Sequence, residues 1–323
     1  MDKSPPPASG DIPKEPPPDY DTSAREHSSN SSTLPIRPAP PPQGRRPPPI
    51  APLDLPIVQY MKTHRVILAS ASPRRRALLG QIGLTNLEII PSTKPENLPK
   101  DQLGAFEYVL ATAQQKALDV YTEAIRIASE AGLANDDDSS DETKEGTNAN
   151  GQFKNRKSKD PDLVIAADTV IVTRDGVILE KPPSEAAHKR MLRHLRDTRT
   201  HRVLTAICCV APKADASFPG YALATHTEET KVTFARAIDG LPDDVIDAYV
   251  RTREGVDKAG GYAVQGIGGS VLVEKIEGGV DNVVGLPVRK CLQLCEKVVF
   301  KQQDEEEISG DEDDDQGQGI MGL

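Results

Sequence analysis

The chain has 323 residues, of which 49 are Asp or Glu and 39 are Lys or Arg, and its formal net charge is −10. This acidic balance excludes a general affinity for nucleic acid, so a local cluster of positive charge is expected to serve one small anionic ligand. The sequence contains no run of 18 apolar residues and no basic-then-apolar leader, which predicts a cytoplasmic protein that does not enter the membrane.

Three segments are too polar to build a core. Residues 1–57 contain 17 of the 28 prolines, residues 134–161 are polar, and residues 302–323 are acidic and Gly-rich. Such compositions cannot bury enough apolar surface to offset the entropy cost of ordering. We therefore predict a disordered proline-rich arm, a disordered insertion and a disordered acidic tail around one folded domain over residues 58–301.

The first predicted unit is a strand, a tight turn and a helix. The run "RVIL" (65–68) is a short buried strand, Ser72 before a proline is a helix N-cap, and Gly83 ends the helix. Arg74 and Arg75 fall in the first turn, where positive side chains oppose the helix dipole. A bound anion would reverse that effect, because free N–H groups and two guanidinium groups would converge on it. Phosphate binding is one interpretation, and solvated arginines are the other.

A second strand and a long helix follow. The run "LEIIPS" (87–92) is typical of a strand and leads into a loop that carries Glu96. Apolar residues then recur at helical spacing over residues 106–125, and Lys116 borders that stripe. A lysine in this position usually extends its charge into water, so a surface residue is the simplest interpretation.

Residues 162–182 are the most informative stretch, because Asp168 interrupts a buried-strand pattern. Burying a lone carboxylate is costly unless a cation, a metal ion or hydrogen bonds compensate. The dipeptide Asp-Gly at 175–176 predicts a two-residue hairpin turn, which places Lys181 diagonally across from Asp168. A structural ion pair and a catalytic or metal-binding carboxylate are both open for Asp168.

The second half predicts more helices and strands and then a glycine-rich stretch. Ser184 caps a helix that runs to about Arg196, "HRVLTAICCVAP" and "TEETKVTFARAI" are strands, and "PDDVIDAYV" is a short helix. The later glycines lack the G-x-G-x-x-G spacing, and a strand is predicted after them, so the dinucleotide-binding interpretation fails. They suit a loop around Lys258 and Gln265 where backbone approaches a ligand. The Gln265 amide either stabilises the loop or pairs with a pyrimidine edge.

The four cysteines do not form a recognisable metal motif. They comprise one adjacent pair and one pair four residues apart: Cys208, Cys209, Cys291 and Cys295. Neither spacing matches a zinc finger, so we predict reduced thiols in the core rather than metal ligands.

Six motifs together resemble the Maf family of nucleoside triphosphate pyrophosphatases. They are "ASASPRR", "QQKA", "AADTVIV", "LEKP", "DKAGGYAVQGIGG" and "NVVGLPV", in the family's order and spacing. The resemblance implies an elongated α/β fold with a mixed twisted sheet between helical lobes and a central nucleotide cleft, similar to inosine triphosphate pyrophosphatases. It also implies hydrolysis of a nucleoside triphosphate to the monophosphate and pyrophosphate with a divalent cation, Mg²⁺ or Mn²⁺.

The resemblance implies roles for individual residues. Asp168 matches the family's proton acceptor, and Glu96 matches an acidic position that would hold the metal ion together with Asp168. The phosphate-binding positions match Ser72, Arg74, Arg75, Lys116 and Lys181, and Lys258 is a further cleft candidate.

Substrate preference is also implied. Arg74, Thr169 and Gln265 match the family's specificity positions, and glutamine at 265 resembles the subgroup that acts on dTTP and UTP. Another subgroup, which acts on 7-methyl-GTP, carries glutamate there. A glutamine amide can pair with O4 and N3–H of uracil or thymine, so both nucleotides are expected substrates.

A different class of function stays open. The run "RPAPPPQGRRPPPIAP" has the P-x-x-P spacing that SH3 and WW domains bind, so the chain could be a non-catalytic interaction protein that works through its arm. A plain flexible tail is the alternative for that segment. The family resemblance further implies a homodimer.

Overall fold

The computed structural model describes residues 53–100, 102–136, 159–213, 215 and 217–302. Most of the predicted arm and acidic tail, and the insertion from 137 to 158, lie outside the described residues. The folded part begins two residues earlier than predicted, because a helix starts at Pro56 and Ile57 is completely buried. The long helix extends to Asp136, three residues into the predicted insertion.

Helices and strands alternate along the described chain. The helices are α1 (Pro56–Thr63), α2 (Pro73–Gln81), α3 (Ala105–Asp136), α4 (Glu185–Thr198), α5 (Asp243–Arg251), α6 (Ile267–Val271), α7 (Val280–Val284) and α8 (Val288–Phe300). The strands are β1 (Val66–Leu68), β2 (Glu88–Ile89), β3 (Leu163–Val172), β4 (Ile178–Leu179), β5 (Thr200–Pro212), β6 (Tyr221–Phe234) and β7 (Val273–Glu277).

All seven strands form one mixed sheet, in the order β2-β1-β3-β5-β6-β7, with β4 paired to β3. Strand β1 runs parallel to β2 and β3, whereas the remaining pairs are antiparallel. This mixed α/β sheet flanked by helices confirms the predicted fold class.

The core lies on both faces of the sheet, which explains why β3 is a nearly continuous buried run. Alternate residues of a strand point to opposite faces. Accordingly Ile165 packs in the layer that holds α1, α2 and α8, while Val164 packs in the layer beneath α3. A third cluster joins α4 and α5 to the far end of the sheet.

The hairpin after β3 differs from the prediction by one residue. A two-residue turn would pair Ile171 with Glu180, but Ile171 pairs with Leu179. The loop has three residues because Thr173 N donates to Val177 O and Val177 N donates back to Thr173 Oγ1, each at 2.9 Å, and Gly176 closes the turn with a φ of 86°. This is the three-residue hairpin with a left-handed glycine at its last position.

Two other elements depart from their predicted bounds. Strand β6 begins at Tyr221, six residues before the predicted run, and ends at Phe234, after which Ala237–Asp239 forms a 3₁₀ turn. The glycine-rich stretch forms the five-residue helix α6 before β7, where only a strand was predicted. The Ser184 cap is confirmed, since its hydroxyl accepts a hydrogen bond from Ala187 N at 3.2 Å.

Candidate active site

One cleft of about 590 Å³ contains every residue that the sequence nominated. It lies where β1 gives way to α2 and is bordered by β3, by the end of the β3–β4 hairpin, by α3 and by the glycine-rich loop. The nominated residues that line it are Ser72, Arg74, Arg75, Glu96, Lys116, Asp168, Thr169, Lys181, Lys258 and Gln265. Ten residues that span most of the domain therefore converge on one space.

Lys116 joins the two acidic side chains of the cleft. Its Nζ lies 2.7 Å from Asp168 Oδ1 and 2.8 Å from Glu96 Oε1. Lys116 is thus an inward-facing cleft residue, and the prediction of a surface lysine is wrong. The sequence placed Lys181 diagonally across from Asp168 and left an ion pair open; the ion-pair partner of Asp168 in the structure is Lys116.

The charges around Glu96 make it more acidic than usual. Burial alone would raise the pKa of Glu96, but the hydrogen bond and charge of Lys116 outweigh burial. The charges of Lys181 and Arg75 lower the pKa further. Three cationic side chains from three separate segments thus act on one carboxylate in the cleft.

Arg75 is fixed by three hydrogen bonds. Its Nε donates to Gly285 O at 2.7 Å, its Nη1 to Ser70 Oγ at 2.9 Å and its Nη2 to Thr169 Oγ1 at 3.0 Å. Burial lowers the pKa of the guanidinium, and the charge of Asp168 opposes that effect. A guanidinium has five N–H donors, so two remain for a ligand.

A buried polar chain supports Arg75 from behind. Thr169 Oγ1 lies 3.0 Å from Thr205 Oγ1, and Thr205 donates to Asn282 O at 2.9 Å. Since the one Thr205 proton is committed to Asn282, Thr169 donates to Thr205 and accepts from Arg75. Sequence reasoning missed Thr205, because a threonine inside a strand carries no distinctive signal; Asn282 lay within the motif "NVVGLPV" but was not singled out.

The start of α2 matches the prediction in position. Ser72 occupies the N-cap and Pro73 the first helical position, but the Ser72 hydroxyl makes no capping hydrogen bond. Arg74 Nη1 lies 3.6 Å from Asp257 Oδ2, and Lys258 Nζ lies 2.6 Å from Asp257 Oδ1. Asp257, which lay within the motif "DKAGGYAVQGIGG" but was not singled out, therefore holds two of the nominated cations.

The glycine-rich loop uses its backbone donors internally. Glu254 accepts hydrogen bonds from Ile267 N and Gly268 N, each at 2.9 Å, so a protein carboxylate occupies the start of α6. Gly260 has a φ of 71°, and a Cβ there would lie 2.2 Å from Ile171 Cδ1. The glycine thus permits the close contact between the loop and β3 that brings Gln265 to the cleft.

Glu180 is a further acidic residue of the cleft that was not predicted. Glu180 accepts a hydrogen bond from Tyr108 Oη at 2.9 Å and pairs with Lys100 Nζ at 2.7 Å. Burial, followed by the hydrogen bond to Glu180, raises the pKa of Tyr108. The sequence did not indicate the hydrogen bond between Tyr108 and Glu180, because Tyr108 lies in the apolar stripe of α3.

Comparison with known proteins agrees with this geometry. Residues 65–298 match the family described as "Maf-like protein". The chain belongs to the Maf-like protein family. No helix among the described residues of this Maf-like chain combines the length and apolar character needed to cross a bilayer.

Curated relatives of this Maf-like chain carry consistent names. A dTTP/UTP pyrophosphatase of Schizosaccharomyces pombe is 39% identical over 249 residues, which is 76% of this chain and 89% of that protein. A dTTP/UTP pyrophosphatase of Anaeromyxobacter dehalogenans is 38% identical and covers 73% of this chain and 95% of its own. A human protein named "Probable bifunctional dTTP/UTP pyrophosphatase/methyltransferase protein" is 36% identical, and the chain spans only 33% of its length.

A solved structure gives a weaker match. The nucleoside-triphosphatase / dITP/XTP pyrophosphatase of Mycobacterium abscessus aligns with 53% of this chain and 74% of its own, at 13% identity and a TM-score of 0.27. A score this low carries no argument about the site.

Proposed function

We propose that this Maf-like protein hydrolyses dTTP and UTP to the nucleoside monophosphate and pyrophosphate. The observation that carries the proposal is the convergence of all ten nominated residues on one cleft, with Asp168 buried at its base. The names of the relatives in a yeast and a bacterium support the same reaction.

Asp168 is the proposed proton acceptor. Its carboxylate would take a proton from the water that attacks the α-phosphorus, in the manner of a general base. Lys116, 2.7 Å away, holds that carboxylate in place and adds positive charge beside the reacting phosphate. Pyrophosphate is a good leaving group, so no covalent intermediate is required.

The cations of the cleft are proposed to bind the triphosphate. Arg74 and Lys181 carry charges that a phosphate chain can reach, and Arg75 keeps two free N–H donors. The N-terminus of α2, at Ser72, adds backbone donors and a favourable dipole. Asp257 pairs with Arg74 and with Lys258, so binding of phosphates would replace the Asp257 carboxylate on both cations.

The donor set also fits a divalent metal ion. Glu96 and Asp168 both contact the same Lys116 nitrogen, so their oxygens are close neighbours. Paired carboxylates are ligands that Mg²⁺ and Mn²⁺ prefer. We propose that these two residues hold such an ion, which supplies positive charge to the triphosphate when bound.

Gln265 is the proposed reader of the base. Its amide offers one donor and one acceptor side by side, which matches N3–H and O4 of uracil or thymine. This pairing leaves the 5-methyl group untouched, so dTTP and UTP are both accepted. A pyrophosphatase that prefers 7-methyl-GTP would carry glutamate at this position, and the relatives' names do not favour it.

The test is pyrophosphate release from a panel of nucleoside triphosphates with Mg²⁺ or Mn²⁺. Wild type is expected to prefer dTTP and UTP, and Asp168→Asn is expected to lose at least about 10²-fold in kcat. Asp247→Asn is a matched control, because Asp247 lies on α5 and pairs with Arg193 away from the cleft. Release by Asp168→Asn at the wild-type rate would refute the proton-acceptor role, and no release from any nucleotide would refute the activity.

The interaction-protein alternative predicts a different result. Removal of residues 1–52, which precede helix α1 and its buried Ile57, would abolish function in that case, whereas the enzyme proposal places the whole catalytic set after that point. The names of the relatives do not favour the alternative. The homodimer, the SH3 or WW partner and the cytoplasmic location stay predictions.

A further inference from the structure

Three of the four cysteines meet at one point of the core. Cys209 comes from β5, and Cys291 and Cys295 lie one turn apart on α8. Their sulfur atoms all lie within 4.8 Å of one another, and Cys209 Sγ is 3.7 Å from Cys295 Sγ. All three residues are completely buried, and none of them lines the nucleotide cleft. Any role of this cluster is therefore separate from the proposed hydrolysis.

The Cys209–Cys295 separation is too long for a disulfide and is compatible with two sulfur ligands of one metal ion. A disulfide requires about 2.05 Å between sulfur atoms, much less than the separation here. A metal ion with metal–sulfur bonds of about 2.3 Å places its sulfur ligands about 3.8 Å apart in a tetrahedron and about 4.0 Å apart in a trigonal plane. The 3.7 Å between Cys209 and Cys295 is within a few tenths of an ångström of both values.

The surroundings select the kind of ion. The cluster contains no His, Asp or Glu among the described residues, and it lies in a layer of apolar side chains that includes Ile207 and Leu292. Structural zinc almost always has four ligands, and a fourth is missing here. Thiolate sulfur is a soft ligand that suits Cu(I), an ion that three sulfur atoms can hold in a trigonal plane, and each cysteine releases its proton to solvent when it binds the ion. We infer that Cys209, Cys291 and Cys295 form a three-sulfur site for one Cu(I) ion.

The fold also explains how an ion would enter a closed site. Helix α8 is the last element that the structure describes, and it packs against β5 and β6. The site is complete only when α8 docks, because the helix supplies two ligands and the sheet supplies the third. An ion captured by the helix before docking would link the C-terminal helix to the centre of the sheet.

Cys208 provides a matched control. It is adjacent to Cys209 and equally buried, but it faces the opposite layer of the sheet, beneath α3. Replacing either Cys208 or a cluster cysteine by alanine removes one buried thiol. Only the replacement of a cluster cysteine removes a ligand of the proposed site.

The experiment is a competition titration of the reduced full-length chain with Cu(I) under argon. Bicinchoninate, whose Cu(I) complex is coloured, reports how much ion the protein withholds. Wild type and Cys208→Ala are expected to withhold one equivalent, and Cys295→Ala is expected to bind at least about 10-fold more weakly, since loss of even an outer-shell partner typically costs about 10–100-fold. Cys291→Ser is the second ligand variant, and circular dichroism with thermal unfolding checks that each variant is folded.

Several results would overturn the inference. Wild type that withholds no Cu(I), or Cys295→Ala and Cys291→Ser that withhold as much as wild type, would exclude the site. Equal loss in Cys208→Ala would show that the effect belongs to core packing. Retention of Zn²⁺ in place of Cu(I), or a Cys209–Cys295 disulfide found by mass spectrometry in the untreated protein, would show that the cluster serves another chemistry.

Discussion

Replacing Lys116 by methionine tests the centre of the cleft most directly. The side chains of Lys116 and Asp168 are only 13% and 10% exposed, whereas Glu96 is 48% exposed. Removing one partner of a buried ion pair typically costs about 3–5 kcal/mol. A half-exposed pair contributes only about 0.2–1 kcal/mol because solvent screens it. Methionine keeps the apolar stem, so we expect Lys116→Met to lower the free energy of unfolding by about 3 kcal/mol near pH 7.

This loss should depend on pH. Lys116 supplies the largest effect that lowers the pKa of Glu96 against the opposing effect of burial. A carboxyl whose pKa is lowered by folding stabilises the protein above its unfolded-state pKa, and the contribution disappears as the pH falls through its folded-state pKa. Lys116→Met removes that contribution, so the stability gap between wild type and variant should narrow at about pH 4 and below.

Urea unfolding followed by circular dichroism at pH 7 and about pH 3 measures both effects, since the pKa of Glu96 in the folded protein lies below its ordinary value. Lys275→Met is the control, because Lys275 is 63% exposed and pairs only with the exposed Glu277 at 2.5 Å. The control should lose little stability at either pH, because solvent screens an exposed pair. A Lys116→Met loss no larger than the control loss at pH 7 would refute the buried pair, and a gap of equal size at both pH values would refute the contribution of Glu96.

Three further predictions concern the same cleft. Gln265→Glu should lower kcat/KM for UTP at least about 10²-fold, because a carboxylate offers no hydrogen-bond donor to O4. Steady-state kinetics with UTP and 7-methyl-GTP measure the change. Unchanged kinetics with UTP would contradict the proposed role of the amide. Thr169→Val should free one Arg75 donor and raise KM for UTP more than it lowers kcat, and a purely structural Thr169 would leave both constants unchanged. Gly260→Ala should lower stability by at least about 1–3 kcal/mol, since its φ is 71° and its Cβ would collide with Ile171; a thermal melt within error of wild type would contradict the close contact.

Local patterns were enough to predict the elements that carry the site. Ser72 before Pro73 marked the start of α2, and Ser184 marked the start of α4, because caps depend on a few adjacent residues. Asp168 stood out because a carboxylate inside a buried strand requires a partner. The predicted hairpin register was wrong by one residue, because the choice between a two-residue and a three-residue loop depends on the hydrogen bonds between Thr173 and Val177, one of which uses the Thr173 hydroxyl.

Local patterns did not predict contacts between residues that lie far apart in sequence. Lys116 looked like a rim residue of a helix, and only the packing of α3 across β3 turns it towards Asp168, 52 residues away. The spacing of Cys291 and Cys295 resembled no metal motif, because their third neighbour comes from a strand 86 residues before Cys295.

The sequence by itself determined most element types, the ten nominated residues of the cleft and the family resemblance, because these depend on spacing along the chain. The tertiary structure decided which charged groups pair, which donors of Arg75 stay free and which thiols meet. Those contacts depend on the position that each helix takes on the sheet. That position is set by the packing of many side chains together rather than by the spacing of any one motif.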